Sequence, residues 1–311
     1  MEELTPLERS ALEPPSPVAE ALSPDAPAGR EPLEGDPRRS PDTNWPPWVA
    51  PLGLIAGLVL AALGGLAVDL PALAFGVKLS SAHVPPGLSI ADTVVQDLAF
   101  VLAAVYCAHL GGRVVRAWQF GLRSPGDGWG RAALLIGGLY LSFLLLSVVW
   151  SALLHPSEDK LLEQLGSNEA TSLLLLSAVL TCVVAPICEE FLFRGLIFTA
   201  LRNWRGTLPA AVITGLVFGG VHIGSAPTLD LVPLAGLGFG LCLLYRRSGS
   251  LYPCIAAHSL NNSIAFSSLE GWSWQAPILI VGALAAIGAI VLACKRAGLI
   301  APTPGFVSPS A

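Results

Sequence analysis

Length, composition and charge argue against a water-soluble globular protein. The chain has 311 residues, of which 53% are hydrophobic and only 13% are charged, and its formal net charge is -5. A typical soluble domain carries about 25% charged residues. The composition therefore predicts an all-α fold, a polytopic bundle of transmembrane helices, and no segment is basic enough to suggest a nucleic-acid partner.

Residues 1–44 are the first predicted element, a disordered acidic tail. This stretch combines repeated prolines with ten acidic residues and contains no aromatic residue. A segment of this kind cannot bury enough apolar surface to offset its conformational entropy. It also lacks the basic start and short apolar run of a signal peptide.

Eight apolar runs follow the tail, and we predict about eight spans. A bilayer core about 30 Å thick requires about 20 apolar residues in a helix. The predicted spans are 48–68, 90–110, 132–154, 171–189, 208–222, 229–245, 250–266 and 276–294. Asp92, Gln96 and Asp97 open the second span, and we interpret them as a solvated helix end. The fifth and sixth runs are short and fit either two spans or one re-entrant unit.

Arginine and lysine residues concentrate in alternate loops, which predicts that both termini are cytoplasmic. The predicted organisation is a tail (1–44), two helices with a basic loop (45–130), a helical core (131–296) and a C-terminal tail (297–311). The composition and the lack of a targeting sequence favour a bacterial plasma membrane protein.

Ionisable residues interrupt the fourth predicted helix. Such a group at bilayer depth costs roughly 2.5 to 3.5 kcal/mol on insertion scales, so it needs a partner or a function. Glu190 and Arg194 lie four residues apart, which predicts an ion pair along the helix. Glu189 points about 100° away from Glu190 and has no local partner. We therefore expect Glu189 to be a catalytic base and the ion pair to support it.

Two imidazoles and a carboxamide occupy later helices. His222 follows Gly219 and Gly220, which we expect to allow a close approach of a neighbouring backbone. His258 and Asn262 are four residues apart and share one helix face. Each piece alone fits a structural role, such as a histidine bonded to a backbone carbonyl or a hydrogen bond between helices. Together with Glu189 they form a set suited to activating water against a carbonyl group.

At these residues the sequence resembles the CAAX protease and bacteriocin-processing (CPBP) family of intramembrane proteases. The three family motifs Glu-Glu-x-x-x-Arg, Phe-x-x-x-His and His-x-x-x-Asn occur in order at Glu189, Glu190, Arg194, Phe218, His222, His258 and Asn262. The resemblance extends over about residues 130–295. It implies an all-helical membrane core that hydrolyses a membrane-embedded or membrane-associated peptide or protein.

The resemblance also implies roles for these residues. Glu189 and His222 would activate the attacking water, and His258 and Asn262 would stabilise the oxyanion. Glu190, Arg194 and Phe218 would support the site.

Three alternatives remain open at this point. Glu189, His222 and His258 are possible ligands for a divalent metal such as zinc, although no His-Glu-x-x-His motif is present. We favour a metal-free scheme, because a neutral carboxamide beside His258 suits an oxyanion. A proton- or ion-coupled transporter would also place such groups at the midplane, but no internal repeat accompanies them. A non-catalytic scaffold would have no need of Glu189.

Overall fold

The computed structural model describes residues 43, 45–77, 84–112, 115–154 and 171–299. Within these ranges the chain forms helices and no β-strand, which confirms the predicted all-α fold. The helices are α1 (Val49–Ala74), α2 (Pro86–Gly111), α3 (Trp129–Leu154), α4 (five segments from Thr171 to Arg205), α5 (Thr207–Gly220), α6 (Leu231–Ser248), α7 (Leu251–Leu269) and α8 (Gln275–Arg296). Both predicted tails lie outside the described residues, except for Thr43 and the stretch 297–299.

Six of the helices in the described ranges are long and apolar enough to cross a bilayer, so the chain is a multi-pass membrane protein. They are α1, α2, α3, α4, α6 and α8. Helix α5 has 14 residues, which gives a length of about 21 Å at 1.5 Å per residue. That is shorter than a bilayer core of about 30 Å. Helix α7 has 19 residues, but its histidine, asparagine and serine side chains make it less apolar.

Helix α4 is not a regular α-helix. Two π-helical segments, Leu180–Val184 and Phe191–Phe198, alternate with the α-helical segments Thr171–Val179, Ala185–Glu190 and Thr199–Arg205. A π-segment shifts the backbone ladder by one residue, and such segments occur frequently at functional sites. Both motif glutamates end the α-helical segment that lies between the two π-segments.

Helices α5 and α6 pack through glycines. A Cβ atom on Gly219 would lie 2.5 Å from the Leu231 carbonyl oxygen, and one on Gly238 would lie 2.9 Å from Phe218 Cβ. The expected close approach at Gly219 is therefore confirmed. The same expectation is wrong for Gly220, because a Cβ there would meet nothing within 4 Å among the described residues. Gly220 is one residue further round the helix and faces away from α6.

This difference predicts unequal effects of two neighbouring substitutions. Gly219→Ala should destabilise the bundle by about 1 to 3 kcal/mol, because the backbone of α6 must move to admit the methyl group. Gly220→Ala is the matched control and should be neutral or slightly stabilising, since alanine is the better helix former. Thermal unfolding of the two variants in detergent measures both effects. Equal melting temperatures would contradict this description of the interface.

Helices α1 and α2 pack onto the motif-bearing helix. A Cβ on Gly53 of α1 would lie 2.5 Å from Leu196 Cδ2, and the Phe100 ring of α2 meets Phe193 edge-on at 6.4 Å. At the start of the described chain, Thr43 is buried and accepts hydrogen bonds from Asn203 Nδ2 of α4. The N-terminal helices therefore form one wall around the segment that carries Glu189 and Glu190.

Candidate active site

A fully buried ion pair lies at the centre of the site. Arg194 Nη1 is 2.6 Å from Glu190 Oε1, and both side chains are 0% exposed, so the predicted pair is confirmed. Arg194 Nη2 also donates to the Gly238 carbonyl oxygen at 2.9 Å, and the guanidinium lies 4.6 Å from the centroid of the Phe218 ring. A buried charge is tolerated only with such compensation. The pair thereby ties α4 to α5 and α6.

The same Glu190 oxygen holds His258 from a different helix. His258 Nδ1 lies 2.8 Å from Glu190 Oε1. Since Glu190 is ion-paired with Arg194 and can only accept, Nδ1 must be the donor. The other ring nitrogen, Nε2, then faces Glu189 Oε2 at 4.0 Å. A carboxylate that fixes the tautomer and orientation of an imidazole is a common arrangement in catalytic sites.

Glu189 is the less constrained of the two glutamates, since it takes no part in the ion pair with Arg194. Its side chain is 12% exposed, and Oε2 has no hydrogen-bond partner among the described residues. This agrees with the expectation that Glu189 lacks a partner along its own helix. The adjacent glutamates therefore differ in kind, because one is locked into a network and the other is available to water or substrate.

His222 and His258 both lie next to Phe218. The buried Phe218 ring is 5.0 Å from the His222 ring and 5.5 Å from the His258 ring, measured between centroids. His222 follows the C-terminus of α5, and its Nδ1 donates to the Phe218 carbonyl oxygen at 2.7 Å. The histidine is thus bonded to a backbone carbonyl, while its Nε2 lies on the opposite edge of the ring from that bond.

Pro186 explains how α7 attaches to α4 beside the site. Proline has no N–H, so it cannot satisfy the carbonyl four residues earlier at Cys182, or five residues earlier at Thr181 in a π-helical register. Side chains of α7 donate to these two carbonyls instead. Ser259 Oγ is 2.6 Å from the Cys182 oxygen, and Asn262 Nδ2 is 2.9 Å from the Thr181 oxygen.

The carboxamide of Asn262 is oriented from both sides. Its Oδ1 accepts from Asn261 Nδ2 at 3.3 Å, and one of its two N–H bonds points to the Thr181 carbonyl. An amide nitrogen carries two hydrogens, so a second donor remains. The α7 helix thus contributes to the site both the imidazole of His258 and an amide donor one turn later.

Sequence reasoning missed a third carboxyl group, Asp97. The interpretation of Asp97 as part of a solvated helix end is wrong, because α2 begins at Pro86 and Asp97 is its twelfth residue. The side chain is 1% exposed, and neither carboxyl oxygen has a hydrogen-bond partner among the described residues. Asp97 lies close enough to Glu189 and Cys188 to interact electrostatically with both. The predicted span started at Ile90, four residues after the actual start of α2. The prediction therefore placed Asp97 closer to the helix end than it is.

The possible metal ligands do not gather into a metal site. Across the described ranges, no group of three or more histidine, cysteine, aspartate or glutamate side chains has the geometry to hold a metal ion. Glu189 and His258 approach each other, but the third ligand that a catalytic zinc site requires does not join them. The arrangement therefore gives no support to the three-ligand zinc scheme of Glu189, His222 and His258.

Comparison with known proteins matches the part of the chain that forms this site. Residues 171–264 match a family model described as "Type II CAAX prenyl endopeptidase Rce1-like". This segment contains all the motif residues from Glu189 to Asn262, and it does not contain Asp97. No solved structure shows significant similarity to the chain.

Two relatives share part of the chain. One is "Putative membrane peptidase YdiL" of Bacillus subtilis (strain 168), which is 33% identical over 115 residues, 34% of this chain and 46% of the relative. The other is "Uncharacterized protein" of Mycoplasma capricolum subsp. capricolum, 32% identical over 93 residues, 30% of this chain and 27% of the relative. The chain thus spans less than half the length of either relative.

The three motifs, their convergence in one helical core and the family match agree with one another. Over residues 171–264, the chain is similar to the CAAX protease and bacteriocin-processing family of membrane proteases.

Proposed function

We propose that this protein is an intramembrane endopeptidase that hydrolyses a peptide bond with water activated by Glu189. The observation that carries the proposal is the Glu189 carboxyl group, whose Oε2 has no hydrogen-bond partner among the described residues and lies 4.0 Å from His258 Nε2. The imidazole is itself fixed by the buried pair of Glu190 and Arg194. A carboxyl group without a partner in a membrane protein needs a function. Similarity to the family makes hydrolysis of a membrane peptide the function to test.

Glu189 acts as the general base in the proposed reaction. Its carboxylate accepts a proton from a water molecule that attacks the carbonyl carbon of the scissile bond. His222 assists by holding the same water, because its Nδ1 is occupied by the Phe218 carbonyl and its Nε2 is available as an acceptor. When the tetrahedral intermediate collapses, the proton on Glu189 passes to the leaving amine.

His258 and Asn262 stabilise the negative oxygen of the tetrahedral intermediate. One N–H of the Asn262 amide donates to the Thr181 carbonyl, and the second N–H remains available as a donor to the oxyanion. His258 contributes as a donor through Nε2 in the form in which both ring nitrogens carry hydrogen, with Nδ1 held by Glu190. Preorganised donors of this kind cost little reorganisation during the reaction.

The proposed substrate is a membrane-embedded or membrane-associated peptide or protein. The description of the matching family names prenylated CAAX peptides, so a prenylated C-terminal peptide is the first substrate class to test. The alternating basic loops support a location in a bacterial plasma membrane with both termini in the cytoplasm.

The test uses the purified full-length chain in liposomes with a library of membrane peptides. The library includes matched prenylated and unprenylated CAAX peptides, and mass spectrometry identifies the products with and without a metal chelator. We expect discrete endoproteolytic products that persist in chelator. Absence of any product across the library would contradict the proposed function. Loss of activity in chelator with full rescue by zinc would overturn the metal-free mechanism and leave the protease assignment standing.

Asn262→Ala should lower kcat by about 100- to 1,000-fold with little change in KM, the usual cost of removing one oxyanion donor. The matched control is Asn261→Ala, because the Asn261 amide contacts Asn262 and no other side chain is bonded to it in the described structure. That control should have a much smaller effect. If Asn262→Ala keeps its kcat and raises KM instead, Asn262 belongs to substrate binding.

A further inference from the structure

Asp97 is a buried acid without a counter-charge, and this sets it apart from the other buried charges of the site. Glu190, Arg194 and His258 are bonded to one another, although Glu190 Oε2 and Arg194 Nε have no partner among the described residues, whereas Asp97 has no partner there for either oxygen. An isolated carboxylate in an apolar interior is strongly unfavourable, and the group normally neutralises instead. The burial of Asp97 is therefore intelligible if its carboxyl group carries a proton.

The position of Asp97 connects this acid to Glu189. Helix α2 packs against the α4 segment Ala185–Glu190, and the Asp97 carboxyl group is near enough to Glu189 for two negative charges there to repel each other. Like charges that share a site do not both ionise. Asp97 is 1% exposed and the Glu189 side chain is 12% exposed, so the more buried Asp97 is the less favourable site for a negative charge. Oε2 of Glu189 is likewise without a hydrogen-bond partner among the described residues.

We propose that Asp97 is a positioning residue for Glu189: its protonated carboxyl group donates a hydrogen bond to the Glu189 carboxylate and orients it toward the attacking water. The inference rests on the proposed function for the role of Glu189 as the base. The proton stays on Asp97 throughout, and Glu189 takes its proton from water. Because Asp97 lies outside residues 171–264, the N-terminal helices contribute directly to the site.

Asparagine can replace a neutral aspartic acid that acts as a hydrogen-bond donor, but it cannot replace an ionised aspartate. Asparagine at position 97 keeps the size and supplies an N–H donor, but it cannot carry a negative charge or release a proton. Leucine at this position has a similar volume and supplies no donor. The pair Asp97→Asn and Asp97→Leu therefore separates hydrogen bonding from packing. Asp92→Asn and Asp92→Leu are the matched controls, since Asp92 lies on the same helix beside Asp69.

Steady-state kinetics on a peptide that the wild type cleaves provides the first test. Asp97→Asn should retain most of the wild-type kcat, while Asp97→Leu should lower kcat by up to about 100-fold with KM unchanged, the scale expected for a misplaced catalytic group. Both Asp92 variants should behave as wild type. Equal losses in Asp97→Asn and Asp97→Leu, or an unchanged kcat in Asp97→Leu, would overturn the proposal.

Infrared spectroscopy tests the same idea without any turnover, so a failure of the proposed function does not obscure it. Full-length protein in liposomes at neutral pH should show the carbonyl stretch of a protonated carboxyl group, shifted in deuterated water. The band should be absent in Asp97→Asn, present in Asp92→Asn, and displaced in Glu189→Gln because the acceptor has changed. If the spectra of the wild type and of Asp97→Asn contain the same carboxyl band, the proposal is wrong. This test holds even if Asp97→Leu fails to fold.

Discussion

Glu189→Gln should reduce turnover by about 100- to 10,000-fold, the range that a positioned general base contributes. The amide keeps the size of the side chain but cannot accept a proton from water. Glu189 makes no ion pair with Arg194, and glutamine keeps a carbonyl oxygen that can accept the proposed hydrogen bond from Asp97. We therefore expect an unchanged melting temperature together with the loss of rate.

Glu190→Gln is the matched comparison for this prediction. It removes the charge that pairs with Arg194 and replaces the charged acceptor of His258 Nδ1 with a weaker, neutral one. Folded yield and thermal stability should fall, because a buried guanidinium loses its counter-charge. If the two glutamine variants lose folded protein to the same degree, the division of roles between the adjacent glutamates is wrong.

Arg194→Leu should have the largest effect on stability, a loss of about 3 to 5 kcal/mol in the free energy of unfolding. The substitution leaves the Glu190 carboxylate buried without its partner and removes the bond from Arg194 to the Gly238 carbonyl. Stability is measured by denaturant or thermal unfolding of the purified protein in detergent. The double variant Glu190→Gln with Arg194→Leu should recover part of the loss, since it leaves no unpaired charge.

An arginine at the end of the same helix provides the control. Arg205 is exposed and stacks on Trp204, with its guanidinium 4.1 Å from the ring centroid. Arg205→Leu should cost at most about 1 kcal/mol, the value of an exposed cation–π contact. Similar losses for Arg194→Leu and Arg205→Leu would mean that the buried pair does not hold α4, α5 and α6 together.

Local patterns in the sequence were sufficient to predict the helices and the ion pair. Apolar runs of about 20 residues reflect the thickness of a bilayer, and the resulting eight segments correspond to the eight helices of the described structure. The four-residue spacing of Glu190 and Arg194 fixes their contact, because such residues lie on the same side of a helix. Both features depend on neighbouring residues alone.

Contacts between helices could not be predicted in the same way. The bond from Glu190 to His258 joins residues 68 positions apart, and its existence depends on how α4 and α7 are packed. Pro186 has π-helical segments on both sides, and two carbonyls of the first segment, at Thr181 and Cys182, accept from Asn262 and Ser259 of α7.

Asp97 shows how a local rule can mislead. Charges near the ends of transmembrane helices are usually solvated, and the apolar run gave no sign that α2 begins four residues earlier at Pro86. Only the packing of α2 against α4 reveals that Asp97 is buried near Glu189. The catalytic roles of Glu189, His222, His258 and Asn262 remain predictions.

Isotope labelling of a single turnover tests the central claim, that water activated by Glu189 attacks the peptide carbonyl directly. Wild-type protein in liposomes is mixed in excess with a cleavable membrane peptide in ¹⁸O-labelled water, and mass spectrometry examines both the product and the peptide that contains Glu189. Direct attack predicts ¹⁸O in the new C-terminal carboxylate of the product and none in Glu189. Incorporation of ¹⁸O into Glu189 would indicate a covalent intermediate on that side chain and would contradict the proposed mechanism.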